Sequence, residues 1–580
     1  KLITATFAVD TYALNVSIVG KGTVTKNPNQ PTYTYGTQVQ LTATPTGGNH
    51  FWVWTGDVSG ASNPLTVTMD TTKSITANFL PNVANVQLPD RFHAQLLMVG
   101  LDYPTGIAFL PDGRLLLVEQ QSSRIRMVVD GSMGSIDPAG IVDSVNTQGG
   151  ERGLLGIAVD PRWPASPYVY VMYTAIGGFI RVSRYHAQGD LSDGSSGVLE
   201  LPPNTRYDVI RTIPDIQEFH NGGTLRFGPD GMLYVSIGDD GDDCSAQDTT
   251  SSKGVILRIN VNNLPDAGPP PALSALAPPD NPFAFSADPQ ERLVWEMGLR
   301  NPFRFHIDPT NGGIFIADVG YQHYEELDYA GTSGMNFGWP YFEGPGPNVP
   351  QCFGSSAPGG LAGPIYSYDR TGFTAAVIGA GVYRGSGCTV CDFPSSYSGD
   401  YFFSDYYQGF LRRLKFNGTN WSIPPPEPSQ PNATDWGEGF QQVSDYLVGP
   451  DGALWYCRMS IDYQVGTGEI GRVYYDYPVA DASAGDGSSL FFASPYPSPS
   501  RSLVNFTYAL PAQSKVELSL YDLLGRRVRS VIPAASQPAG RHHITWDGRV
   551  ENGGLAASGV YIARLDVGGK ILTRRVVVTH

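Results

Sequence analysis

A recurring turn limits what this chain can become. Between residues 83 and 478 the tripeptide Pro-Asp-Gly follows an apolar run three times. Gly106-Ile107-Ala108-Phe109 precedes Pro111-Asp112-Gly113, Thr224-Leu225-Arg226-Phe227 precedes Pro229-Asp230-Gly231, and Tyr446-Leu447-Val448 precedes Pro450-Asp451-Gly452. Degenerate copies run through Gly156-Ile157-Ala158-Val159-Asp160-Pro161 and Phe305-His306-Ile307-Asp308-Pro309. A sixth copy, without the turn, joins Gly381-Val382-Tyr383 to Tyr401-Phe402-Phe403. Asp-Gly supplies the left-handed backbone that a tight hairpin needs. About six four-stranded units over this stretch match a β-propeller, whereas a row of β-sandwiches would not repeat one turn at blade-like spacing.

Composition points the same way. With 68 Gly and 46 Pro among 580 residues, long helices and coiled coils are excluded, and the expected class is all-β. Hydrophobic residues make up 41%, enough to bury a large core rather than remain disordered. No apolar run approaches the ~18 residues of a membrane span, so the chain is not expected to cross a bilayer. A net charge of −16 argues against nucleic acid and anionic lipid as partners, and suits hard cations such as Ca²⁺. Five cysteines do not amount to a disulfide framework, and Cys388-Thr389-Val390-Cys391 reads as a local disulfide or two free thiols. Lys1 stands where an initiator Met would be, so a mature or trimmed product is expected.

The flanks differ from the middle. Residues 1–82 alternate apolar and polar residues, and Lys1-Leu2-Ile3-Thr4-Ala5-Thr6-Phe7 nearly repeats as Lys73-Ser74-Ile75-Thr76-Ala77-Asn78-Phe79. Residues 1–8 therefore read as the tail of a preceding repeat. Gly20-Lys21-Gly22-Thr23-Val24, Tyr35-Gly36-Thr37 and Phe51-Trp52-Val53-Trp54 resemble the InlB-type B-repeat of bacterial surface proteins, which implies spacing or adhesion. Residues 479–489 read as a linker. Beyond it, Leu520-Tyr521-Asp522-Leu523-Leu524-Gly525-Arg526 and Ser558-Gly559-Val560-Tyr561 within 490–580 resemble the FlgD-like, secretion-sorting Ig-like β-sandwich. That resemblance implies an extracellular, cell-surface or periplasmic bacterial protein and a partner in secretion or surface machinery. Basic residues such as Arg526, Arg527 and Arg541 there read as a solvated face or a dock for an acidic partner.

Four polar clusters sit beside the propeller strands: Gly149-Gly150-Glu151-Arg152-Gly153, Phe219-His220-Asn221-Gly222-Gly223, Gly298-Leu299-Arg300-Asn301-Pro302, and Asp318-Val319-Gly320-Tyr321 with Glu325-Glu326. With Asn336-Phe337-Gly338-Trp339-Pro340 and Lys253-Gly254-Val255-Ile256-Leu257-Arg258-Ile259, they resemble the soluble quinoprotein glucose and aldose sugar dehydrogenases over about residues 88–475. Members of that family are six-bladed propellers that use pyrroloquinoline quinone (PQQ). The resemblance implies that His220 is the general base for the C1 hydroxyl of an aldose, and that Arg300 and Asn301 contact the quinone oxygens. Glu151, at a position usually Gln, Asn221 and Tyr407 fall in the cofactor-binding set. Gly320 and Tyr321 would give carbonyls to a cofactor-bound Ca²⁺, and Glu326 with the Phe337 carbonyl would hold a second, structural Ca²⁺.

The chain departs from that pattern where the quinone carboxylates are held. Tyr407 stands in place of a Lys, Gln442 and Ser444 in place of two Arg, and Asp405 adds a repulsive charge, unless Arg384, Arg412 or another base substitutes for the missing cations. Three charge-assisted bonds at roughly 1.5–3 kcal/mol each would be missing. Two functions stay open: a PQQ-dependent aldose dehydrogenase, and a calcium-stabilised propeller that binds a surface glycan or a protein. A subunit of a surface filament is a third. The run Gly238-Asp239-Asp240-Gly241-Asp242-Asp243 reads as a solvated acidic turn rather than a calcium loop.

Overall fold

A computed structural model describes residues 10–578 apart from 59–63, 82–85, 387–391, 476–489, 496–503 and stretches of one to three residues. Residues 1–8, the 479–489 linker, Cys388 and Cys391 lie outside the described residues.

Residues 92–475 form six sheets of four or five strands. Their innermost strands are Pro104–Phe109, Leu154–Val159, Leu225–Phe227, Arg304–Ile307, Val377–Val382 and Val443–Val448. Each lies against the next, and the last returns to the first, so the ring is closed. Phe92–Leu101, which precedes the first sheet in sequence, supplies the outer strand of the sixth. The propeller expected from the turn repeat is present.

The turns show why the motif recurs. Gly113 and Gly231 have φ of +96° and +74°, where a Cβ is strained. The Asp before each glycine accepts the N–H two residues on, Arg114 to Asp112 at 3.1 Å and Met232 to Asp230 at 3.0 Å. Asp160 and Asp308 do the same for Arg162 and Thr310, so the degenerate copies keep the turn's hydrogen bond. Apolar residues of the strands then pack between consecutive sheets. Leu116, Val118 and Ile125 of the first sheet meet Ile157, Val169 and Val171 of the second, and the pattern recurs around the ring.

Inside the ring runs a buried polar network. Arg304 donates to the carbonyls of Ser444 (2.7 Å), Phe303 (2.8 Å) and Thr105. Asp445 accepts from Arg226 (2.7 Å) and the Ile107 N–H (3.1 Å), and lies 3.6 Å from Arg304. His306 Nε2 is 3.0 Å from the Gly379 carbonyl, and burial with the Arg226 charge pushes its pKa down to about 3, so it is the neutral donor there. These groups tie together inner strands of five sheets.

The N-terminal residues form two three-stranded sheets, with Leu14–Val19 parallel to Lys73–Pro81, around a core that includes Val39, Trp54 and Val67. The C-terminal residues form a three-stranded and a four-stranded sheet around Phe506, Leu518, Trp546 and Leu565. Arg526 is paired with Asp522 at 2.7 Å and is largely exposed, a solvated charge.

Candidate functional site at the channel mouth

Strands within each sheet alternate in direction. The segments that enter the inner strands and those that join second to third strands therefore lie at one end of the ring. His220, Arg300, Asn301, Gly320, Tyr321 and Tyr407 all fall on such segments, and Glu151 joins them through the N–H of His220, which it accepts at 2.7 Å.

His220 is the best-defined group. Its Nδ1 is 2.6 Å from Asp239 Oδ1, and the ring is mostly buried. Asp239 also accepts the Gly241 N–H (2.8 Å) and the Trp339 indole N–H (2.8 Å). A carboxylate surrounded by donors takes Nδ1–H as a donor too, which leaves Nε2 as the acceptor of the ring. Gly238 makes this approach possible, since a Cβ there would sit 2.1 Å from the His220 carbonyl oxygen. Asp239 and Asp240 are both buried, so the first half of this run is not solvated as expected, whereas Asp242 is exposed. Asp240 instead accepts from Lys253 (2.8 Å) and from the N–H groups of Ile216 and Gln217.

Arg300 and Asn301 are set by Asp318, which accepts both of their N–H groups at 2.8 and 2.7 Å. Burial pushes Asp318 up to about 7 against these donors. Asn301 Oδ1 accepts the Gly222 N–H at 3.1 Å. The Arg300 guanidinium lies over Tyr321 and Trp339, 5.4 and 5.5 Å from the ring centroids. Asn221 is buried, and its side chain reaches back to the Glu218 carbonyl at 3.5 Å, so it braces its own loop.

The fit to the implied cofactor fails at two places. First, the Gly320 carbonyl accepts from Arg300 (2.7 Å) and from Arg370, whose guanidinium is also paired with buried Glu325 at 2.7 Å. Both lone pairs are engaged by cations where a Ca²⁺ ligand is required. Second, the two arginines named as substitutes for the missing cations are already engaged in ion pairs. Arg384 is paired with Asp308 (2.6 Å) and Arg412 with Asp435 (2.5 Å). Gln442 and Ser444 are buried, the Ser444 hydroxyl donating to the Pro104 carbonyl at 2.9 Å. Asp405 does not repel a ligand as expected, because it is buried and accepts from Tyr407, Gln408, Ala376 and the Tyr368 hydroxyl. The residues present do not fit a calcium-bound tricarboxylate quinone.

A second set of carboxylates lies between the third and fourth sheets. Glu326 and Asp328 share one face of the strand Tyr324–Ala330, the face on which Ile316 and Ala330 pack toward Tyr234 and Ile256. Burial pushes both carboxyls up, and both oxygens of Asp328 are buried without a hydrogen-bond partner. Phe337, expected to complete a site with Glu326, is buried, and its N–H donates to the Met297 carbonyl at 3.0 Å. Glu343 accepts the four successive N–H groups of residues 321–324 on one oxygen, which shapes the Tyr321 loop. Among the described residues no three ligating side chains gather at one point.

Sequence reasoning missed Asp239, Arg370, Glu343 and a disulfide. Cys244 and Cys352, 108 residues apart, are bonded, and Cys457 is a buried free thiol. The bond joins the segment after Asp239 to the excursion that carries Trp339. The sequence offered no guide to this pairing, because it depends on the fold.

The family model Glucose / Sorbosone dehydrogenase matches residues 101–462, with Divergent InlB B-repeat domain at 12–83 and FlgD Ig-like domain at 499–567. The chain is 32% identical over 225 residues to HIPL1 protein of Arabidopsis thaliana, covering 35% of this chain and 31% of that one. It is 26% identical over 253 residues to an aldose sugar dehydrogenase of Escherichia coli K12, covering 43% and 62%. The matches thus span less than two thirds of either relative. A solved structure from Thermus thermophilus, described as an oxidoreductase of glucose dehydrogenase type, aligns at 28% identity and a TM-score of 0.50, covering 66% of this chain and 99% of that one.

Proposed function

The chain belongs to the Glucose / Sorbosone dehydrogenase family, and on that basis we propose that its propeller recognises a sugar at the channel mouth without quinone chemistry. The observation that carries this reading is the His220–Asp239 pair at 2.6 Å, at the same end of the ring as a Gly320 carbonyl already bonded by Arg300 and Arg370. His220 Nε2 accepts a hydrogen bond from a sugar hydroxyl, and the Asn301 amide and Glu151 carboxylate offer a donor and an acceptor to its neighbours. The Cys244–Cys352 bond supports an oxidising compartment, in keeping with the FlgD Ig-like segment and its surface or secretion partners.

One observation favours a second reading. An imidazole held in one tautomer by a buried carboxylate is also what a general base for aldose oxidation requires. The two readings separate on one experiment: full-length protein titrated with PQQ and Ca²⁺, and in parallel with free aldoses. Sugar binding without quinone absorbance is expected. Quinone absorbance with aldose-dependent dye reduction would replace the binding reading with the dehydrogenase one.

A structural cation is part of the proposal. Its donors are hard oxygens: the Glu326 and Asp328 carboxylates with main-chain carbonyls such as that of Phe337, a set that suits Ca²⁺. Such an ion stabilises the native state by mass action. Chelation should therefore lower the melting temperature, and Asp328→Asn should abolish that sensitivity. Equal melting with and without chelator, and no metal on elemental analysis, would rule the ion out.

A further inference from the structure

Around Tyr407 and Gln442, which stand where the family holds its cofactor with cations, a cleft lies open. It has a volume of about 950 Å³, and the rings of Tyr406, Tyr407, Phe410, Tyr463, Phe373 and Tyr368 line it among a larger set of polar and charged residues. That volume is near the top of the ~300–1,000 Å³ range of small-molecule pockets, more than one sugar ring needs. Three of the rings are held half in solvent, Phe373 at 45%, Tyr407 at 41% and Tyr463 at 56% exposure. All three stand on segments at the same end of the ring as His220. We infer that this cleft is a second sugar subsite, so that the propeller binds a neutral oligosaccharide rather than a single ring. The inference rests on the sugar reading above and extends it.

Three observations carry it. The first is polarity: aromatic rings share the lining with the side chains of Gln408, Gln441 and Ser460. A pyranose presents an apolar C–H face to stack on a ring and an edge of hydroxyls to meet amides and charged groups. The second is charge. Both guanidiniums of the cleft are neutralised, Arg412 by Asp435 at 2.5 Å and Arg458 by Glu469 at 3.2 Å. Asp369 and Glu438 also line the cleft, so its charge balance is acidic and disfavours an anion, and a neutral polyol is the ligand its donors and acceptors suit. The third is continuity. Tyr407 and Tyr463 stand on segments that join second to third strands, at the end of the ring where Glu151 accepts the His220 N–H. A chain with one ring at His220 would extend its next rings toward Tyr407 and Tyr463.

The test is calorimetric titration of the full chain with glucose and with cello-, malto- and xylo-oligosaccharides of two to five units. In at least one series, affinity should rise about tenfold or more from one unit to three. Tyr463→Ala and Phe373→Ala should each remove most of that gain and leave the affinity for the single sugar unchanged. Their exposed rings make little contribution to folding, which a melting curve checks. His220→Ala should lower affinity for every length alike. Affinity independent of length, still weakened by His220→Ala, would overturn the second subsite and leave the sugar reading standing. A gain with length that neither aromatic substitution touches would overturn it as well. Absence of binding to any of these sugars would overturn both.

Discussion

Asp445→Ala should destabilise the propeller by about 3–5 kcal/mol, because it leaves buried cations without their counter-charge. Asp445 and Arg304 are each only 1% exposed, and Arg226 is bonded to the same carboxylate at 2.7 Å. The Ile107 N–H loses its acceptor in the same step. Burial alone would raise the Asp445 pKa, but the Arg226 and Arg304 charges outweigh it and hold the carboxyl below the ordinary carboxylate range. The pH dependence has a definite sign. A carboxyl whose folded pKa is depressed contributes stability above its unfolded value of ~3.9 and loses it as pH falls through the folded value. Wild type should therefore lose this contribution only in strong acid, while Asp445→Ala lacks it throughout. Denaturant titration of the two proteins from pH 7 to pH 3 measures the difference. Asp445→Asn should fall between them, since it keeps the shape and one acceptor but not the charge. An alanine variant within about 1 kcal/mol of wild type at pH 7 would show that the network relaxes around the loss.

Asp239→Asn should cut sugar affinity roughly 10–100-fold without unfolding the protein, and the origin of the loss is the tautomer rather than the volume. Asp239 accepts from His220 Nδ1, the Gly241 N–H and the Trp339 indole. An amide keeps one acceptor oxygen but places donors toward the remaining partners. With a donor facing Nδ1, the imidazole proton moves to Nε2, and the ring offers the ligand a donor where an acceptor is needed. A lost bond together with an unsatisfied buried group is worth about 1–3 kcal/mol, which converts to that range of affinity. The NMR shifts of the His220 ring nitrogens report the tautomer directly. An unchanged tautomer with reduced affinity would mean that Asp239 acts by positioning the loop instead. Unchanged affinity would remove His220 from the binding site.

Much of the fold was legible because its determinants are local. A Pro-Asp-Gly turn depends on a few consecutive residues, and alternation depends on i and i+2, so the repeat of both announces sheets of similar size. The placement of His220, Arg300 and Asn301 was legible as well, since strand direction assigns their loops to one end of the ring. What those side chains do there was not. Asp239 reads in sequence as one of four acids in a polar run, yet ring closure buries it against His220 and Trp339. Arg370 carries no motif, and only the entry into the fifth sheet brings it to the Gly320 carbonyl with Glu325. Cys244 and Cys352 meet across 108 residues. Short-range periodicity in the chain was thus enough to set the strands, their turns and the end of the ring where chemistry gathers. Which carboxylates are buried, which cations are already paired and which carbonyl is already occupied depended on the assembled fold, because those contacts form only when distant loops converge on one channel.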